Sequence, residues 1–402
     1  MKYILVVGDG MADFPIDALG GKTPLEYLSL PAFARIGGGR LGRVRTCPAG
    51  LAPGSDVAFL TLLGNDTRAV YTGRSPLEAA GMGLSMQRGQ VALRMNIVSI
   101  GEEGYPQAGM CSHNGSGIEG EDALRLATDL INDAHFSALA RACGLSVSVT
   151  DTFRHVALMP GDAAQFELTP PHDIVGRPVL DYLPGGERGK VLRELMRASF
   201  QALNRHPINQ KRRAMGLRAA NSAWFWGAGT ACALDNFEKK YGKKGIVISA
   251  VPLVKGIARL GGLYAPDIPG ATGLLDTDYE GKAARAVEAL REGYDFALVH
   301  LEAPDEMSHD GSLENKLEAI RRLEARTVAP LMEAMRKPYR LMLISDHYTL
   351  LSTRTHDGTP VPFAIFDSRV PGAPRPFTES ACAGCPVLDN GDILMRLLFE
   401  MD

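Results

Sequence analysis

Met1-Lys2-Tyr3-Ile4-Leu5-Val6-Val7-Gly8-Asp9-Gly10 starts with an apolar run and breaks on a Gly-Asp-Gly turn. The run from Tyr3 to Val7 has the length and character of a buried strand and is far shorter than the apolar segment of a secretory signal. Moving outward, Pro24 and Pro31 stand where helices begin, and Ser55 precedes Val57-Ala58-Phe59-Leu60-Thr61-Leu62-Leu63, read as a helix closed by Gly64. The second half repeats the alternation. Strands are expected at Gly245 to Val251, Tyr294 to Leu301, Arg340 to Ser345 and Val361 to Phe366. Helices are expected at Pro252 to Gly261, Gly281 to Arg291 and, as one long amphipathic element, Leu313 to Met335. Alternation of this kind predicts an α/β fold: a mostly parallel sheet sandwiched by helices.

Between the two blocks the texture changes. Gln90 to Ile100 and Leu145 to Thr150 read as strands, Glu121 to Asn132 as a helix, and Thr169-Pro170-Pro171-His172 as a Pro-rich passage. The expected organisation is a discontinuous domain over 1–75 and 241–402, with an inserted α+β domain over 76–240. No fixed-period repeat or low-complexity tract interrupts it.

At 402 residues, with 45% hydrophobic and 22% charged residues, the chain is long enough for such a pair of domains and far from disordered composition. A net charge of -3 gives no general attraction for nucleic acid or anionic lipid, so neither is expected as a partner, and no obligatory protein partner is expected. Apolar stretches, including the one around Trp224 and Trp226, are interrupted well before the roughly 20 residues a membrane span needs. Six scattered cysteines argue against a disulfide scaffold and for a reducing cytoplasm; Cys382-Ala-Gly-Cys385 reads as a pair of loop cysteines.

In open α/β sheets ligands bind where strands end, so the polar residues that follow each strand are informative. Val7 is followed by Asp9. The strand ending at Leu301 leads into Glu302-Ala303-Pro304-Asp305 and His309, and the strand ending at Ser345 runs directly into Asp346-His347. His356 lies shortly before the strand at Val361. Each of these residues taken alone has a structural explanation, as a turn residue, a helix start or a loop residue. Three Asp and three His at one sheet edge exceed what one ion takes from protein and suit two divalent ions. Ser55, at a helix start, has an ordinary role as a cap; beside two metals, a serine hydroxyl is activated and a helix N-terminus stabilises phosphate. Two other motifs fail. Gly20-Gly21-Lys22-Thr23 lacks the first P-loop glycine, where Ile16 stands, and Gly8-Asp9-Gly10-Met11-Ala12-Asp13 has Asp13 in place of the third dinucleotide-binding glycine.

These residues resemble the alkaline phosphatase superfamily and, more closely, the archaeal-type cofactor-independent (2,3-bisphosphoglycerate-independent) phosphoglycerate mutases. The resemblance spans the chain through Gly8 to Asp13, Leu19-Gly20-Gly21-Lys22-Thr23-Pro24-Leu25, Pro53-Gly54-Ser55-Asp56, His206-Pro207-Ile208-Asn209 and Lys255-Gly256-Ile257. It continues through Glu302 to Asp305 with His309, Asp346-His347, and Thr355-His356 before Pro360-Val361-Pro362-Phe363. It implies an alkaline-phosphatase-like fold, one metal on Asp9, Ser55, Asp346 and His347, and a second on Asp305, His309 and His356. The ions implied are Mn²⁺ first, with Zn²⁺, Co²⁺ or Mg²⁺ as alternatives. It further implies a cytoplasmic isomerase of glycolysis and gluconeogenesis, in which Ser55 accepts the phosphoryl group of 3-phosphoglycerate and returns it to the other hydroxyl. The inserted domain would close over the substrate and exclude water.

The insert departs from the family pattern. An arginine-rich stretch is replaced by Met110-Cys111-Ser112-His113-Asn114-Gly115-Ser116-Gly117, and Trp226 stands before Gly227-Ala228-Gly229 where an Arg is usual. Those departures resemble a bacterial branch labelled homoserine kinase, which keeps open a metal-dependent phosphomonoesterase or a phosphotransferase with another acceptor. The remaining substrate-clamp candidates are His113, Arg154, Arg212 and Lys255.

Overall fold

The structure, a computed structural model, describes residues 1–101, 105–336 and 338–401. Its contacts divide the chain into two units, Met1–Tyr71 with Ala233–Asp402, and Thr72–Cys232. Both seams fall a few residues before those read from the sequence texture. Packing explains the shift. Helix Arg74–Gly81 is tied to its own unit by the ion pair of Glu78 with Arg94, 2.7 Å. Phe237, in the helix Phe237–Tyr241, stacks on Phe296 of its own unit, the one that includes Ala233–Asp402, ring centroids 5.1 Å apart.

The first unit is built on a seven-stranded sheet. Its order is Val387–Leu388, Arg40–Val44, Val361–Asp367, Tyr339–Ile344, Lys2–Gly8, Phe296–Leu301, Gly245–Ile248. The last four strands are mutually parallel, whereas Val361–Asp367 runs antiparallel to both neighbours. Strands buried on both faces read as continuous apolar runs, as Lys2–Gly8 and Tyr339–Ile344 do. Ile4, Val6, Val299 and Leu343 pack with Phe33, Ala286, Leu290 and Ile320 of flanking helices. On the opposite side Tyr3 and Phe296 meet Phe399 of the helix Gly391–Phe399. This is the expected mostly parallel sheet sandwiched by helices.

In the second unit, Gln90–Ile100 is the central strand, paired antiparallel with Met110–Ser112, Arg154–Pro160 and Ser222–Thr230. Helix Gly120–Asn132 buries Ala123, Leu126, Ala127 and Leu130, the i, i+3, i+4, i+7 stripe of an amphipathic helix. The strand at Leu145 to Thr150 is reduced to Ser146–Ser148.

Local differences have local causes. The long helix expected over Leu313 to Met335 is α-helical at Leu313–Leu323, widens into a π-turn at Glu324–Val328 and resumes at Ala329–Ala334. Pro330 lacks an N–H and its ring crowds the preceding turn, and a π-turn accommodates both. Cys382 is not a loop residue: it ends the helix Glu379–Cys382 and is fully buried, and all six cysteines are free. Among the described residues, no helix is long and apolar enough to cross a membrane.

Glu379 pins two segments of the first unit. Its Oε1 accepts the Asp13 N–H at 3.1 Å and its Oε2 accepts the Thr23 hydroxyl at 2.6 Å. Burial pushes this carboxyl up to about 7 from an ordinary 4.5. A folded-state pKa above the unfolded one gives stability that is complete below about 4.5 and is lost as pH rises through 7. Thermal unfolding should therefore show a decline of about 1 to 2 kcal/mol between pH 5 and pH 8, discounted for partial exposure, that the Glu379→Gln variant lacks. Identical pH profiles for the two proteins would contradict this.

Candidate active site

Parallel strands place their carboxyl ends on one edge, and three adjacent ones deliver the acidic groups there. Asp9 follows Lys2–Gly8. Asp305 lies in the first turn of the helix Ala303–His309, which follows Phe296–Leu301. Asp346 and His347 follow Tyr339–Ile344. His309 closes the same short helix, and His356 comes from a hairpin of Tyr348–Leu350 with Thr355–Asp357. All six are brought together. Ser55 joins them as the first residue of the helix Ser55–Leu62. Gly54 holds the cap position and no side chain caps this helix, so the Ser55 hydroxyl is not spent on it. Ser55 Oγ lies 3.3 Å from His347 Nε2.

Three imidazoles share one design. His309 Nδ1 is 2.9 Å from the Arg354 carbonyl and His356 Nδ1 is 3.3 Å from the Pro53 carbonyl, so each Nδ1 carries a proton and donates it. His347 Nδ1 is 3.1 Å from Thr349 Oγ1, which itself donates to Asp305 Oδ1 at 2.5 Å and so must accept from the imidazole. Each Nε2 is thereby turned inward. His309 Nε2 and His356 Nε2 are 3.0 Å apart, and they lie 3.2 and 3.4 Å from the two oxygens of Asp305. His347 Nε2 is 3.1 Å from Asp346 Oδ2 and 3.6 Å from Asp9 Oδ1. Metal-binding histidines commonly use the second ring nitrogen in this way.

The carboxylates complete the fit to cations. Asp9 Oδ1 and Asp346 Oδ2 are buried without a hydrogen-bond partner. Burial, followed by repulsion from Asp346 and Asp305, holds the Asp9 carboxyl well above the usual range. Burial acts the same way on Asp305, but hydrogen bonds with His309 and His356 overcome it and hold that carboxyl well below. Such unpartnered, mutually repelling oxygens are costly in the absence of a positive ion. Among the described residues, two groups have ligand atoms within 4.8 Å of one another: Asp305, His309 and His356, and Asp9, Asp305 and His347. Asp305 is common to both, an arrangement that sequence spacing does not reveal.

Several supporting residues escape sequence reading. Thr349 links His347 to Asp305, and its only sequence signal is its position two residues after His347. Lys316, fully buried, pairs with Asp13 at 2.8 Å and donates to the Thr349 carbonyl at 2.7 Å. His300 contacts Asp9 at 2.7 Å from within an apolar strand.

The clamp candidates are divided between the two units. In Thr72–Cys232, His113 faces His172 and Phe153, ring centroids 6.1 and 6.2 Å away, and the Arg154 guanidinium lies 4.5 Å from the Phe153 ring centroid. Arg212 donates to the carbonyls of Gly115, Ser116 and Arg218, which ties down the loop carrying these residues. The Arg94 guanidinium lies 4.3 Å from the Trp226 ring centroid, so a cation stands beside this tryptophan. In the other unit, Lys255 pairs with Asp267 at 2.5 Å.

The family model described as 2,3-bisphosphoglycerate-independent phosphoglycerate mutase matches residues 37–209. A relative of that name from Methanothrix thermoacetophila is 40% identical, over 99% of this chain and 99% of its own. The chain belongs to this family of mutases. Another member of the phosphoglycerate mutase family, from Methanosarcina barkeri, is 42% identical over 91% of this chain and 90% of its own. Among solved structures, a Pyrococcus horikoshii protein superposes on this mutase-family chain with a TM-score of 0.81 and 27% identity, covering 99% of this chain and 97% of that one.

Gly10 is the backbone position on which the geometry turns. Its φ is +57°, its N–H donates to Asp346 Oδ1 at 3.1 Å, and a Cβ there would lie 2.3 Å from Thr349 Oγ1 and 2.7 Å from Asp305 Oδ1. Gly20 has a similar φ of +68° with nothing within 4 Å. Gly20→Ala should cost about 1 to 2 kcal/mol of stability, the backbone penalty alone, whereas Gly10→Ala should cost roughly 2 to 5 kcal/mol. Only Gly10→Ala should also lose whatever stabilisation added Mn²⁺ gives the parent. Thermal melts with and without Mn²⁺ check both, and equal effects would show that crowding at Gly10 is harmless.

Proposed function

We propose that this chain interconverts 3-phosphoglycerate and 2-phosphoglycerate, with Ser55 carrying the phosphoryl group between the two hydroxyls. The observation that carries the reading is the Ser55 hydroxyl, not spent on capping its helix and 3.3 Å from His347 Nε2, which itself lies against Asp9 and Asp346. Full-length relatives at about 40% identity bear the name of that activity.

Two divalent ions are taken to be held by Asp9, Ser55, Asp346 and His347 and by Asp305, His309 and His356, with Asp305 near both groups. Mixed carboxylate and imidazole donors suit Mn²⁺ or Zn²⁺, and Mn²⁺ is the ion proposed. When bound, such ions supply charge to stabilise phosphoryl oxygens and favour loss of a hydroxyl proton. The chain does the rest. His347 Nε2, its lone pair freed by the Nδ1 bond to Thr349, is left to donate to an ion alongside Ser55 Oγ, 3.3 Å away. Ser55 Oγ forms a bond to phosphorus while the bond from phosphorus to the 3-oxygen of the substrate breaks, and that oxygen gains a proton. The phosphate then rests at the N-terminus of the helix Ser55–Leu62. In the return step the 2-hydroxyl loses its proton and its oxygen bonds to phosphorus while the bond from phosphorus to Ser55 Oγ breaks, and Oγ regains a proton. No water is consumed, as an isomerase requires. His113, Arg154, Arg212 and Lys255 are the proposed contacts to the organic acid, and the proposed location is the cytoplasm.

The test is a coupled assay with 3-phosphoglycerate and enolase in the presence of Mn²⁺. The parent should turn over. Ser55→Ala should lose at least about 1,000-fold while remaining folded, because the nucleophile itself is removed. Hydrolysis of an aryl phosphate without any mutase turnover in the parent would replace this reading with transfer to a different acceptor, such as homoserine. Within the mutase reading, Arg154→Ala should lose about 30- to 1,000-fold in mutase turnover, the equivalent of 2 to 4 kcal/mol, and far less in aryl phosphate hydrolysis. Equal losses would remove Arg154 from the clamp.

A further inference from the structure

We infer that His300 is a positioning residue for Asp9, and that Ser249, Glu302 and Lys282 hold it in that role. The inference rests on reading Asp9 as a cation ligand. His300 lies on the strand Phe296–Leu301, next to the strand Lys2–Gly8 that Asp9 follows, and is fully buried. Its Nε2 is 2.7 Å from Asp9 Oδ2. As a cation ligand Asp9 is ionised and only accepts, so the imidazole donates. One oxygen of Asp9 is thereby fixed, and the other, Oδ1, is the buried atom left without a partner. Held by one oxygen, the carboxylate has a single orientation in which to present the other.

The far side of the ring is fixed as firmly. His300 Nδ1 lies 2.9 Å from Ser249 Oγ and 3.2 Å from Glu302 Oε1. The Ser249 hydroxyl donates to Glu302 Oε1 at 3.1 Å and the Ala250 N–H donates to the same oxygen at 2.8 Å. Lys282 Nζ pairs with Glu302 Oε2 and donates to the His300 carbonyl at 3.1 Å. The Phe59 ring packs edge-on against the imidazole, centroids 4.6 Å apart. A fully buried lysine–glutamate pair is a poor route to stability, because apolar residues of similar volume generally serve as well. Its placement behind His300 gives it a positional role: an ordered series from Lys282 through Glu302 and His300 to Asp9 that fixes the orientation of one carboxylate.

Calorimetric titration of the full chain with Mn²⁺ tests this. In the parent, two binding steps are expected, and His309→Ala identifies which belongs to Asp305, His309 and His356. His300→Leu should weaken the other step about 10- to 100-fold, the usual effect of removing a partner of a metal ligand, and leave the identified step within about threefold. His300→Gln, whose amide N–H can reach Asp9 Oδ2, should recover part of the loss. If His300→Leu does not fold, Ser249→Ala carries the test, with an expected loss of about three- to tenfold at the same step and an unchanged melting temperature. Parent-like affinity in the folded variants, or equal weakening of both steps, would overturn the positioning role. A parent that binds no Mn²⁺ would overturn the cation-site reading on which it rests.

Discussion

Asp9, Asp305 and Asp346 repel one another, and the sheet gives them no room to separate. Each is fixed at or just beyond the end of one of three adjacent parallel strands, and each is less than a tenth exposed. Negative charge held this closely away from water costs several kcal/mol per group unless a positive charge answers it. Much of the surrounding structure can be understood as accommodation to that constraint. Histidines turn their Nε2 atoms inward, a glycine occupies the one backbone position where a side chain would strike Asp305 and Thr349, and a serine begins a helix without capping it.

Support comes from two sides within the first unit. On one, Lys316 neutralises Asp13 and holds the Thr349 carbonyl, while the Thr349 hydroxyl joins His347 to Asp305. On the other, His300 grips Asp9 from the adjacent strand. Neither set needs to touch a substrate. Their work is to hold Asp9, Asp305 and His347 in orientations that those side chains, left to themselves, would abandon.

The sequence made this edge of the sheet legible because strand ends can be predicted and because Asp and His stand out against apolar runs. Strand-end reasoning gathered Asp9, Asp305, His309, Asp346, His347 and His356, and the structure brings them within reach of one another. It missed His300, since one histidine inside Phe-Ala-Leu-Val-His-Leu looks like a core residue. Lys282 and Lys316 escaped because charges on amphipathic helices are ordinarily solvated, and here both are fully buried against carboxylates. The π-turn at Glu324–Val328 depends on how a helix absorbs Pro330, and the strands Arg154–Pro160 and Ser222–Thr230 depend on partners distant in sequence. Asp305 lies near two groups of ligands at once, which only three-dimensional convergence reveals.

The central claim is that cations answer the carboxylate charge beside Ser55. Anomalous scattering from crystals of the Mn²⁺-loaded protein tests it most directly. The account predicts two peaks, one among Asp305, His309 and His356 and one among Asp9, Asp346 and His347 within reach of Ser55 Oγ. A single peak, or peaks remote from Ser55 with these carboxylates left unpartnered, would contradict it.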